Sequence, residues 1–115
     1  NNLKNKKGNL HVQSLKNYPI KQVVFYETGL PEKVLQLEEI EKPTPAAKEA
    51  LIRITARNIN PSDIMFVQGL YGITPKLPSS AGFEAAGIVE QSETFPVGTR
   101  VMFTSIGTWK EYTCV

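Results

Sequence analysis

The stretch ALIRITARNINPSDIMFVQG, Ala50 to Gly69, carries two different periods in twenty residues. From Ala50 to Ile59 polar and apolar residues alternate. Ala50, Ile52, Ile54 and Ala56 share one side; Leu51, Arg53, Thr55 and Arg57 share the other. A period of two is the mark of a half-buried strand. The pattern then changes. Asn60 is a good N-cap, Pro61 suits the first helical position, and Asp63 falls where the positive end of a helix favours a carboxylate. Ile64 to Val67 form an apolar body, and Gly69 can end the helix in a left-handed conformation. The expectation is one amphipathic strand running into a helix of about two turns.

Outward from this stretch, the remaining regular segments read as strands. Ile20–Tyr26 (IKQVVFY) is short and β-branched, and Val34–Glu41 (VLQLEEIE) reads as a half-exposed strand. Between them, Glu27–Lys33 holds Gly29 and Pro31 and reads as a turn. Lys42–Glu49, with two prolines, is a loop, and so is Leu70–Ser80. Ala81–Glu90 is small and apolar; Gly82 and Gly87 predict close backbone packing in that strand. Val97–Phe103 and Gly107–Val115 complete the set. About six strands, one short helix and no alternation of strand with helix predict a mainly β fold of barrel or sandwich type.

The chain of 115 residues suits one domain, and its 41% apolar and 21% charged residues are ordinary for a globular protein. A formal charge of +2 does not suggest a nucleic-acid partner. The charge is unevenly placed: residues 1–26 carry five lysines and no acid, whereas residues 27–115 carry eight basic and eleven acidic side chains. Residues 1–19 are therefore read as a flexible N-terminal extension, with contact to nucleic acid or a membrane, or a transit-peptide remnant, as alternatives. A lone cysteine, Cys114, permits no internal disulfide. No apolar run reaches the roughly 18 residues of a membrane span. The chain does not begin with Met and stops at Val115 within a strand-like segment, which predicts a processed, renumbered or truncated product.

Self-contained catalytic machinery is missing. One His and one Cys, His11 and Cys114, cannot make an ordinary zinc site. No Gly-x-Gly-x-x-Gly occurs, and Gly82–Gly87 (GFEAAG) is followed by Ile88 and Val89 where a phosphate loop needs Lys and Ser or Thr. No Ser or Cys has an evident base.

Four motifs, in order, resemble the N-terminal GroES-like domain of the medium-chain dehydrogenase/reductase superfamily: VVFYETG, ARNINPSD, LPSSAGFEAAGIVE and VGTRVMF…GTWKEY. Together they cover about residues 20–115. The resemblance implies a partly open β-barrel with short helices, residues 20–115 forming the catalytic domain of a two-domain enzyme whose Rossmann cofactor domain is absent here. Zinc dehydrogenases of that superfamily place a Cys where this chain has Asn60 and a His where it has Phe83, and neither replacement suits zinc. The resemblance therefore points to the zinc-independent branch, quinone oxidoreductases and 2-enoyl thioester reductases. INPSDIMFVQGLYGITPKLPSSAGFE is most similar to the mitochondrial-type 2-enoyl thioester reductases, in which the tyrosine of the Gly-x-Tyr-Gly turn is the proposed catalytic acid; it matches Tyr71.

The resemblance thus implies an NADPH-dependent reductase of α,β-unsaturated thioesters or carbonyls. Tyr71 would act as proton donor, Asn60 would contact the cofactor, and no metal would take part. Each residue has a plainer role open to it: Tyr71 could close its turn with the hydroxyl in water or simply line a pocket, and Asn60 is an N-cap in any case. Asp63 is read as a capping residue, Glu84 as structural, and Phe83 as filling the volume a metal would occupy. The implied full-length protein is a homodimer acting on a small enoyl thioester, enone or quinone. It binds neither nucleic acid nor membrane and is cytoplasmic, with a mitochondrial alternative. The fragment alone is expected to be inactive. A quinone oxidoreductase and a non-enzymatic GroES-like binding module remain as rival readings.

Overall fold

A computed structural model describes residues 19–115. The basic extension therefore lies outside the described residues, except for Pro19, which opens the first strand. The elements in order are β1 (Pro19–Phe25), α1 (Pro31–Val34), β2 (Gln36–Glu41), β3 (Leu51–Arg57), α2 (Pro61–Gln68), β4 (Ser79–Ser80), β5 (Glu84–Gln91), β6 (Arg100–Thr104) and β7 (Tyr112–Cys114). All pairings are antiparallel. They form a three-stranded sheet, β2-β1-β4, and a four-stranded sheet, β6-β5-β3-β7. An isolated bridge between Gln22 and Lys110 stitches the two, with the Val23 amide donating to the Trp109 carbonyl at 2.8 Å. The sheets do not close, so this is the expected mainly β, partly open barrel with short helices.

Several boundaries differ from the sequence expectation. The segment read as a turn at Glu27–Lys33 ends in one helical turn, α1, because Pro31 and Glu32 sit at its start, where a fixed φ and a negative charge are both favoured. As a result β2 starts at Gln36, not at Val34. The strand expected from Ala81 begins only at Glu84, since Gly82 at φ +93° turns the chain first. The strand expected over Gly107–Val115 is ordered as a strand only at Tyr112–Cys114.

The pairing of β3 with β5 is interrupted in two places. Ile52 pairs with Val89 and Leu51 with Gln91, so β5 carries an extra residue, Glu90. Further on, Ile54 pairs with Gly87 and Ala56 with Ala86, so β3 carries an extra residue, Thr55. Such bulges bend and coil a sheet. The extra Thr55 reverses the alternation of β3 and leaves Ala56 exposed; Leu51 is buried although it belongs to the expected outer side.

Two apolar clusters hold the sheets. Phe25, Val34, Phe66, Val67, Ala81 and Trp109 pack beneath α2. Ala50, Ile52 and Val89, flanked by Val101 and Phe103, fill the four-stranded sheet. Lys42, in the loop after β2, pairs with Glu90 at 3.5 Å and lies 4.3 Å from the centre of the Tyr112 ring, bracing one sheet against the other.

Candidate active site

The site is built on the start of α2. The Asn60 backbone is extended (φ −108°, ψ 159°), and its amide donates to Asp63 Oδ2 at 2.7 Å. Its carbonyl accepts from the Asp63 amide at 3.0 Å. Asp63 is buried and acts as the expected capping residue. At the other end Gly69 stops the helix at φ +76°, and the Leu70 amide returns to the Met65 carbonyl at 2.9 Å. Tyr71 follows two residues later, so helix length and stop together set where the phenol lies.

An aromatic column supports that phenol. Phe25 meets Phe66 edge-on with ring centres 5.9 Å apart, Phe66 meets Phe83 edge-on at 5.1 Å, and Phe83 lies against Tyr71 at 5.6 Å with the rings tilted by 39°. Edge-on and offset pairs at these distances are favourable. The column runs from fully buried Phe25 to Tyr71, which is 39% exposed. Tyr71 and Asn60, the two candidate site residues, line one cleft of about 360 Å³ with Phe83, Glu84, Ile73 and Ile106. The structure thus brings them together.

Trp109 packs in the same cluster as Phe25 and Phe66, close against Gly82. A Cβ on Gly82 would come within 2.5 Å of Trp109 Cδ1. The Trp109 indole N–H donates to the Asn58 carbonyl at 3.2 Å. Asn58 and Asn60 both turn their side-chain amides to Glu84 Oε1, at 2.8 and 3.4 Å. Glu84 thus contacts both amides, beyond the structural role read for it from sequence. Asn58 was not singled out by sequence at all, although it stands two residues before Asn60 in extended chain, the spacing that returns a side chain to the same side.

Zinc does not fit here. Phe83 offers no lone pair and is packed between Phe66 and Tyr71, and the Asn60 amide is engaged by Glu84. Among the described residues no three His, Cys, Asp or Glu side chains form a group able to hold a metal ion. Nor is any helix among them long and apolar enough to cross a membrane.

Compared with known families, residues 46–115 match the alcohol dehydrogenase GroES-like domain. The chain belongs to that family. Curated relatives of this GroES-like domain include the mouse mitochondrial enoyl-[acyl-carrier-protein] reductase, 36% identical over 90 residues, covering 78% of this chain and 23% of the relative. A quinone oxidoreductase from Lama guanicoe is 33% identical over 92 residues, covering 75% of this chain and 28% of the relative. Among solved structures, a putative NADPH:quinone reductase from Bacillus thuringiensis superposes with a TM-score of 0.76 at 34% identity, over 84% of this chain and 31% of its own. A mycobacterial protein complexed with NADPH superposes with a TM-score of 0.73 at 30% identity, over 84% of this chain and 30% of its own. The GroES-like chain thus spans about a quarter of the length of the curated relatives it matches.

Proposed function

We propose that residues 20–115 are the catalytic domain of an NADPH-dependent, zinc-independent reductase of α,β-unsaturated thioesters or carbonyls. The residues before Pro19 are an extension to that domain. A separate dinucleotide-binding domain completes the enzyme, and this chain is inactive without it. The observation that carries the reading is that Tyr71 and Asn60 share one cleft, in a position backed by Phe83 instead of a metal ligand. The mitochondrial enoyl reductases among the relatives favour the thioester substrate.

When bound, NADPH supplies hydride to the β carbon of the substrate. This chain's residues then deal with the charge that appears on the carbonyl oxygen. The phenol of Tyr71 carries an O–H that can donate a hydrogen bond into the cleft. It donates a hydrogen bond to the forming enolate and then its proton. Phe83 fixes the ring from behind. Ile73 and Ile106 give the cleft an apolar wall. Asn60 presents its carboxamide to the nicotinamide end of the cofactor.

The test is Tyr71→Phe in the full-length protein. It should lower turnover of a short enoyl-CoA about 100-fold or more while leaving NADPH affinity unchanged. Near-normal turnover would remove Tyr71 from the proton-donor role. A second reading, a quinone oxidoreductase using the same cleft, is favoured by the quinone reductases among the relatives. Turnover of quinones but not of enoyl-CoA would select it.

A further inference from the structure

Glu84 opens β5 and lines the candidate cleft on one side and an adjoining hollow of about 630 Å³ on the other. Its Oε1 receives Nδ2 of Asn58 at 2.8 Å and Nδ2 of Asn60 at 3.4 Å. An ionised carboxylate only accepts hydrogen bonds. Both amides must therefore present nitrogen to it, and their sense is dictated by chemistry. The last torsion of an asparagine is otherwise broad and roughly two-fold, so a free amide at this place would interconvert between donor and acceptor faces.

The Asn60 backbone is already held. Its amide is bonded to Asp63 Oδ2, its carbonyl accepts from Asp63, and α2 continues from it. What remains is the side chain, whose oxygen faces the Asp63 amide in the capping box and whose nitrogen Glu84 receives. Asn58 completes the arrangement: Trp109 holds its carbonyl, so its side chain starts from a fixed backbone and buttresses the carboxylate.

We propose that Glu84 is a positioning residue, which sets the amide sense of Asn60 before any ligand arrives and is itself held by Asn58. This rests on the reading of Asn60 as a cofactor contact. A preset amide binds without the cost of freezing a rotamer, so the gain is in affinity.

The test uses the full-length protein with Glu84→Ala, Glu84→Gln and Asn58→Ala. Glu84 is exposed, so the substitutions spare the core. Two readouts are needed: the Asn60 side-chain amide signal in 15N spectra of the cofactor-free protein, assigned with Asn60→Ser, and NADPH affinity with KM and kcat. In Glu84→Ala the Asn60 signal should move to the position of a free amide. NADPH affinity should fall about tenfold and kcat should fall less than about threefold, as expected for one lost charge-assisted hydrogen bond in a half-exposed cleft. Glu84→Gln keeps an acceptor oxygen and should restore most of both. Asn58→Ala should produce a smaller shift in the same direction. An Asn60 signal unmoved in Glu84→Ala overturns the proposal whatever the kinetics. A moved signal with unchanged NADPH affinity upholds the clamp and refutes instead the cofactor contact of Asn60.

Discussion

Replacing Gly82 by alanine tests how the domain supports its cleft. Two costs add. Gly82 sits at φ +93°, where an L-residue with a Cβ costs about 1–2 kcal/mol. The new Cβ would also lie 2.5 Å from Trp109 Cδ1 and 2.8 Å from Nε1, with Thr108 Oγ1 crowded as well. Carbon contacts settle near 3.5–4.0 Å, so the indole must shift, at a cost of about 1–3 kcal/mol for forced overpacking. The sum is about 2–5 kcal/mol. Gly98 provides the control: at φ +94° it has the same backbone cost, but a Cβ there meets nothing within 4 Å. Gly98→Ala should therefore lose only about 1–2 kcal/mol. Equilibrium urea unfolding of the 115-residue chain, followed by its single tryptophan, Trp109, measures both. The Gly82→Ala emission should also move to the red in the native state, as the indole leaves the Asn58 carbonyl. Equal losses in the two variants would refute the close-approach argument.

Phe66 is 1% exposed and stands between Phe25 and Phe83; Phe66→Ala should cost about 3–5 kcal/mol in the same unfolding assay, and the Tyr71 ring should gain motion in NMR relaxation. The Tyr26 hydroxyl donates to Glu38, and that bond, with burial and the carboxylate charge, raises the phenol above its ordinary value. In a tyrosinate absorbance titration Glu38→Ala should therefore move the Tyr26 ionisation to lower pH. The folded state holds this proton more tightly than the unfolded one, so the contribution to stability is present below pH of about 10 and is lost as pH rises through the raised folded value.

The start of the site was readable because its signals are local. Asn60, Pro61, Asp63 and Gly69 act within one or two turns, and the structure realises α2 with those caps. α1 was missed because Pro31 marks a turn and a helix start equally well. The clamp on Asn60 was hidden for another reason. Glu84 reaches Asn58 across 26 residues, through a pairing of β3 with β5 whose register no local period encodes. Phe83 likewise could be recognised as an odd occupant of its motif, but its place between Phe66 and Tyr71 arises only when α2 packs on the strand start. Tyr71 and Asn60 could each be named from sequence as candidates; that they line one cleft could not.

The unpaired residue at Thr55 has a consequence for how this scaffold can change. It meters the distance from the centre of β3 to Asn58 and Asn60, much as a spacer sets the throw of a lever. Deleting one residue there would draw both amides back by about 3.3 Å and turn them to the other face, out of reach of Glu84. The side chain at Thr55 can therefore vary in kind, but the count of residues from Ile54 to Asn60 is inelastic.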